Sequence, residues 1–98
     1  MSVDGMNGVY PGGTVELRTT FTNNGFYDIE NADVRVMSQE YGLYTVSGST
    51  TIETGETVTL RVELQLPEDI SPGEHWARIS IGDDGRRRVI HRPFLVRG

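Results

Sequence analysis

The side chains able to do chemistry in this sequence are few, and their spacing decides against most of the reactions they suggest. His75 and His91 are the only histidines. They do not form the H-x-x-x-H or H-E-x-x-H spacing that sets two rings on one helical face around zinc. The strands carrying them are expected to pair, so a shared metal is conceivable. The plainer reading makes His75 a half-buried residue at a strand start and His91 an ordinary strand residue. Asp83-Asp84-Gly85 has the look of a calcium loop's first residues, but arginines fill the positions that follow. Calcium needs several hard oxygens and is repelled by nearby cations, so a tight turn is the sufficient explanation. Glu68-Asp69 reads as a solvated loop, and nothing in the spacing of the fourteen acids selects a glycosidase-like pair. None of Ser2, Ser38, Ser47, Ser49, Ser71 and Ser80 stands in a G-x-S-x-G context. Apart from the Gly12-Gly13 pair, the glycines sit singly at turns, and none forms a phosphate-binding loop. Cysteine is absent, which removes disulfides, thiol nucleophiles and thiolate metal ligands. The chain is therefore expected to be no enzyme and to use no cofactor and no metal.

One combination of residues remains. The net charge is −5, yet all nine basic residues are arginine and six of them (Arg78, Arg86, Arg87, Arg88, Arg92, Arg97) fall in the last 21 positions, against two acids there, Asp83 and Asp84. Trp76 stands at the head of this stretch. If Asp84-Gly85 turns a hairpin, the returning strand brings Arg86–Arg88, Ile90 and Arg92 beside Trp76 and Arg78. An exposed tryptophan among arginines forms a cation–π pair worth about 0.5–1 kcal/mol, or marks a partner's docking point. It can equally be a structural feature, with Trp76 covered by arginine stems. Both readings stand at this level. The arginine run is short and the whole chain acidic, which argues against nucleic acid. Charges on an edge strand also block sheet-to-sheet aggregation. On the interaction reading, loss of Arg86, Arg87 and Arg88 together leaves the fold intact.

The elements that position these residues follow from alternation. In Thr14–Asn23, Val15, Leu17, Thr19 and Phe21 share one face and Glu16, Arg18, Thr20 and Thr22 the other, which is a strand with one buried side. Ala32–Met37 repeats the pattern. Shorter strands are expected at Leu43–Val46 and Thr50–Ile52. Thr57–Leu66 is the clearest, with Val58, Leu60, Val62, Leu64 and Leu66 at strict period 2; on a helix those five would be scattered. His75–Ile81 puts Ala77, Ile79 and Ile81 opposite Trp76, Arg78 and Ser80. The last strand, Arg87–Val96, carries Pro93, which cannot donate to a ladder and so places it at an edge or a bulge. Turns at Pro11-Gly12-Gly13, Asn23-Asn24-Gly25, Thr54-Gly55-Glu56, Ser71-Pro72-Gly73 and Asp83-Asp84-Gly85 punctuate the runs. About seven short strands in about 100 residues predict one all-β, immunoglobulin-like antiparallel sandwich over residues 1–98, with 1–8 an unstructured lead-in.

Three fragments carry a resemblance. They are Pro11–Leu17 with Thr22-Asn23-Asn24-Gly25; Ile29–Val36; and Ile52–Leu60 followed by Leu66-Pro67 and Pro72-Gly73-Glu74-His75. Their order resembles CARDB-like and NEW3-like immunoglobulin-type modules of bacterial and archaeal surface proteins, S-layer-associated repeats among them. The likeness runs from Pro11 to about Ile81. His75-Trp76 departs from it where an aromatic residue usually follows Pro-Gly, and the arginine-rich hairpin lies outside the general pattern. The resemblance implies a structural spacer or adhesion element, or a carbohydrate-associated accessory, and supplies no catalytic residue.

No apolar run approaches the ~20 residues that span a bilayer, and Met1–Gly8 has neither the basic nor the apolar region of a signal peptide. The expectation is a non-catalytic module of a larger exported or cell-surface prokaryotic protein, its targeting segment outside this chain. It would be monomeric or weakly self-associating through an edge strand, and would touch neighbouring domains or another surface protein. A glycan is the alternative partner, held by aromatics among Phe26, Tyr27, Tyr41, Tyr44 and Trp76.

Overall fold

Alternating apolar residues become inward-facing rows once two sheets pack face to face. The computed structural model of the chain describes residues 2–4, 9–83 and 85–98. Its strands are β1 (Ser2–Asp4), β2 (Thr14–Thr22), β3 (Ile29–Ser38), β4 (Leu43–Val46), β5 (Thr50–Ile52), β6 (Thr57–Gln65), β7 (Gly73–Gly82) and β8 (Arg87–Val96). One sheet has the order β1-β2-β6. The other runs β4-β3-β7-β8, with β5 also paired to β3, and all pairings between strands are antiparallel. The chain is an all-β sandwich, as the alternation predicts.

The core lies between the inner rows. Val15, Leu17, Val62 and Leu64 of the smaller sheet meet Val34, Val36, Ala77, Ile79, Ile81, Phe94 and Val96 of the larger, and Leu66 and Ile70 close one end. Each large aliphatic or aromatic side chain fully buried here contributes about 1.5–3 kcal/mol.

Seven strands lie where period 2 places them. The differences have local causes. Strand β3 begins at Ile29 rather than Ala32 because a bulge between the Ile29↔Ile52 and Ala32↔Thr50 pairs interrupts its alternation. Asn31 takes φ 55° there, a left-handed conformation that asparagine tolerates. Of the segment 1–8, expected to be unstructured, residues 1 and 5–8 lie outside the described residues. Ser2–Asp4 within it form β1 along β2, a three-residue strand too short to show a period.

Strand β8 is an edge strand, one of the two placements Pro93 allows. Its far end is clasped by Val9, which donates to the Leu95 carbonyl oxygen (3.3 Å) and accepts from Arg97 N–H (2.7 Å). Between β7 and β8 the chain turns sharply at Gly82, whose φ is 144°. A Cβ at that position would sit 2.1 Å from the Arg86 carbonyl oxygen, so only glycine fits.

A candidate interaction face

The two outward faces of the sandwich differ in chemistry. On the smaller sheet the outward residues of β2 are Thr14, Glu16, Arg18, Thr20 and Thr22; those of β6 are Thr57, Thr59, Arg61, Glu63 and Gln65. Hydroxyl pairs Thr20–Thr59 (3.0 Å) and Thr22–Thr57 (2.8 Å) and the Thr14–Gln65 bond (2.9 Å) zip this surface together. The outward rows of β2 and β6 carry no large apolar side chain.

The larger sheet's outward face is built from rows fixed by register. Val46, Arg35, Ser80 and Val89 form one row; Tyr44, Met37, Arg78 and His91 the next; Trp76 with Pro93, then Glu74 with Leu95, complete it. Tyr44, Val46, Trp76, Val89 and Leu95 are all exposed, Trp76 by 56%.

The register divides the predicted arginine cluster. Trp76 pairs with Pro93, Arg78 with His91 and Gly82 with Arg87. Arg87, Val89 and His91 therefore share the Trp76 face. Arg88, Ile90 and Arg92 pair with Ile81, Ile79 and Ala77 and belong to the opposite side of the sheet, not beside Trp76 as the sequence reading had them. Arg88 and Arg92 nevertheless remain exposed, because β8 is an edge strand. Arg86 sits in the turn. Among the described residues Trp76 makes no ring or cation–π pair. Trp76 and Arg78 are exposed on this face, as period 2 predicts.

Arg87 is not a free surface charge. Its Nε donates to Ser80 Oγ. Nη1 donates to the carbonyls of Gly82 (3.0 Å) and Asp83 (3.3 Å), and Nη2 to the Ser80 and Asp33 carbonyls and to Asp33 Oδ1 (2.8 Å). The side chain thus crosses β7 to reach β3, and Ser80 is buried beneath it. Asp33 also forms an ion pair with Arg35, whose Nε lies 3.2 Å from Oδ1. The planar guanidinium suits this multidentate bonding, and an ammonium would not reproduce it. This bonding weighs against the expectation that all three arginines are dispensable to the fold, and does so at Arg87 alone.

The two histidines face opposite ways, His75 inward beside Phe94 and His91 outward beside Arg78. His75 is 5% exposed. Its Nε2 donates to the Ser71 carbonyl (2.7 Å), and Nδ1 lies 3.2 Å from Glu40 Oε2. Its ring stacks on Phe94 and meets Tyr41 edge-on, each at 5.5 Å between centroids. Tyr41 Oη accepts from Ser71 N–H at 3.2 Å, so the two rings hold the N–H and the carbonyl of one residue. Sequence reasoning gave His75 a bland role and passed over Glu40. The signal available in the chain itself is alternation, since His75 falls on the inward row of Ala77, Ile79 and Ile81.

Beside this cluster the face dips into an open concavity of about 260 Å³, lined by Gln39, Glu40, Glu74, Trp76, Arg78 and His91 among others. A larger hollow of about 440 Å³ lies at the opposite end of the sandwich, where Phe26, Tyr27 and Asp28 approach Asp83 and Arg86. Phe26 is 95% exposed there. Buried Asn23 pins that loop, donating to the carbonyls of Tyr27 (2.9 Å) and Ile52 (3.0 Å). The aromatics considered for sugar contact are thus separated: Tyr44 and Trp76 on the sheet face, Phe26 and Tyr27 at the far loops, Tyr41 half-buried against His75. Among the described residues no cluster of three or more metal-ligating side chains occurs.

No protein-family model matches the sequence, and no curated protein matches it. Solved structures do. The sporulation control protein Spo0M of Bacillus subtilis superposes with a TM-score of 0.65 at 17% identity, over 99% of this chain and 47% of that one. A family 123 glycoside hydrolase from Clostridium perfringens gives 0.60 at 12% identity, over 92% of this chain and 22% of the other. The alkylpurine DNA glycosylase AlkC of Pseudomonas fluorescens, bound to DNA containing an abasic site analog, gives 0.64 at 17%, over 98% and 29%. At such identities the likeness shows the fold alone. The chain spans less than half the length of each of these proteins.

Proposed function

We propose that this chain is a non-catalytic spacer and interaction module of a larger exported or cell-surface protein, and that it meets a neighbouring protein through the outward face of its larger sheet, the one built from β4, β3, β7 and β8 with β5 beside β3. The observation that carries this reading is the inequality of the two outward faces. One is covered by threonine, glutamate, glutamine and arginine; the other exposes Tyr44, Val46, Trp76, Val89 and Leu95 around Arg78. These exposed apolar side chains stand on one outward face and have no counterpart in the rows of β2 and β6. Tryptophan, tyrosine and arginine are the residues on which interface energy concentrates. The module reading is supported by the similar structures, in which the same fold occupies 22–47% of longer chains. The surface location rests on the resemblance carried by the Pro-Gly, Asn-x-Gly and Gly-Glu turns.

Self-association along the β8 edge is the weaker reading, since Pro93, the exposed arginines and the Val9 clasp all obstruct strand addition. A photo-crosslinker at Val46 or Val89 should trap a partner in the native setting. The same group at Thr20 or Thr59, on the other face, should not. Equal trapping from both faces, or trapping from the threonine face alone, contradicts the proposal. Carbohydrate contact is the second reading, and the concavity beside Trp76 is the observation that favours it.

A further inference from the structure

We propose that the concavity bounded by Trp76, Glu40 and Arg78 is a subsite for one neutral pyranose unit of a glycan, an inference that rests on reading this face as the recognition surface. The first support is shape. The hollow holds about 260 Å³ and stays open to solvent, so it admits a single ring with its chain running outward.

The second is the arrangement of chemistry. Trp76 leaves an indole ring without a partner among the described residues. A pyranose presents one face of C–H groups, which suits the electron-rich aromatic face. Its equatorial hydroxyls point outward in the ring plane, toward acceptors and donors on the rim. Glu40 and Glu74 supply carboxylate acceptors there and Arg78 a fork of donors, with Gln39 and His91 beside them. Arg78 has no hydrogen-bond or ion-pair partner among the described residues.

The third is preorganisation. Glu40 stands in a turn and is largely exposed, yet its carboxylate is held 3.2 Å from the Nδ1 of buried His75. That ring is fixed in turn by the Ser71 carbonyl, Tyr41 and Phe94. The carboxylate therefore stands at the rim against a ring that is itself fixed. The charge balance sets the ligand class. Two carboxylates against one guanidinium repel phosphates, sulfates and uronates, while Arg78 opposes a bare divalent cation. A neutral, hydroxyl-rich ring satisfies every group.

The chain contains a single tryptophan, so its emission reports this site alone. Titration with D-glucose, D-galactose, D-mannose, N-acetylglucosamine and their β-linked dimers should give a saturable change with at least one, in the millimolar range of a small ligand at an open site. Glu40→Gln and Arg78→Ala should each weaken it about tenfold. Trp76→Ala should abolish binding by calorimetry, with the unfolding midpoints of all three variants near that of the parent. The proposal is overturned if no neutral sugar gives a saturable change, if Glu40→Gln and Arg78→Ala bind as the parent does, or if only sulfated sugars, uronates or a peptide produce the signal. Failure here with crosslinking from Val46 and Val89 intact removes the saccharide alone. Failure of both removes the contact face as well.

Discussion

Truncating Arg87 removes one of the two arginines paired with the half-buried Asp33 carboxylate, and with it the side-chain donor to the carbonyls of Asp33, Ser80, Gly82 and Asp83. Breaking one side of such a pair costs far more than forming it gains. Arg87→Ala should therefore lower stability by about 3 kcal/mol in urea unfolding, while Arg86→Ala and Arg88→Ala stay within about 0.5 kcal/mol. Equal, small effects at all three positions would show that the guanidinium is not structural. Arg86-Arg87-Arg88 is a run of identical residues, and nothing in composition distinguishes its middle member. The distinction arises only when β8 lies against β7 and points Arg87 across Ser80 toward Asp33. Thr19 is the opposite case. Its inward orientation is legible from the alternation of Val15, Leu17 and Phe21, but its hydroxyl is buried with no partner among the described residues. Thr19→Val keeps the shape and removes the unpaired group, and should raise stability by about 1 kcal/mol. A loss of stability would mean that Oγ1 is hydrogen-bonded after all.

At the level of elements, the hairpin of β7 and β8 governs which residues meet. Period 2 told correctly which residues of each strand share a face, and Trp76 and Arg78 are outward as expected. It did not tell how the two strands align, because alignment depends on the turn and not on either strand's own pattern. With Gly82 paired to Arg87, the odd-numbered residues of β8 join the Trp76 face, and Arg88 and Arg92 go to the other side. The same limit appears at β3, whose first residues are hidden from a period-2 reading by the bulge at Asn31. The turn that fixes the hairpin depends on Gly82. Gly82→Ala should destabilise the domain by at least about 2 kcal/mol and shift β8 backbone resonances. An unchanged midpoint would mean that the turn relaxes without cost. For the candidate site the lesson runs the other way. The exposed tryptophan was visible in the sequence, but the carboxylate beside it was not, since Glu40 reaches the site through a buried histidine 35 positions further along.

For the molecule as a whole, the sandwich was readable from alternation and turns because both faces of each strand have distinct solvents, core and water. The inequality of the two outer faces was not readable, since it appears only after strands distant in sequence are placed side by side. The proposed contact surface is the property of four strands together. Oxidative footprinting of the chain in its native cellular setting, against the isolated domain, tests that surface most directly. Trp76, Tyr44 and Met37 should lose reactivity several-fold in the native setting, while Phe26 and Tyr27, exposed at the far loops, should react equally in both. If Trp76, Tyr44 and Met37 react as fast in the native setting as in isolation, the four-stranded face is not where this module meets its neighbour.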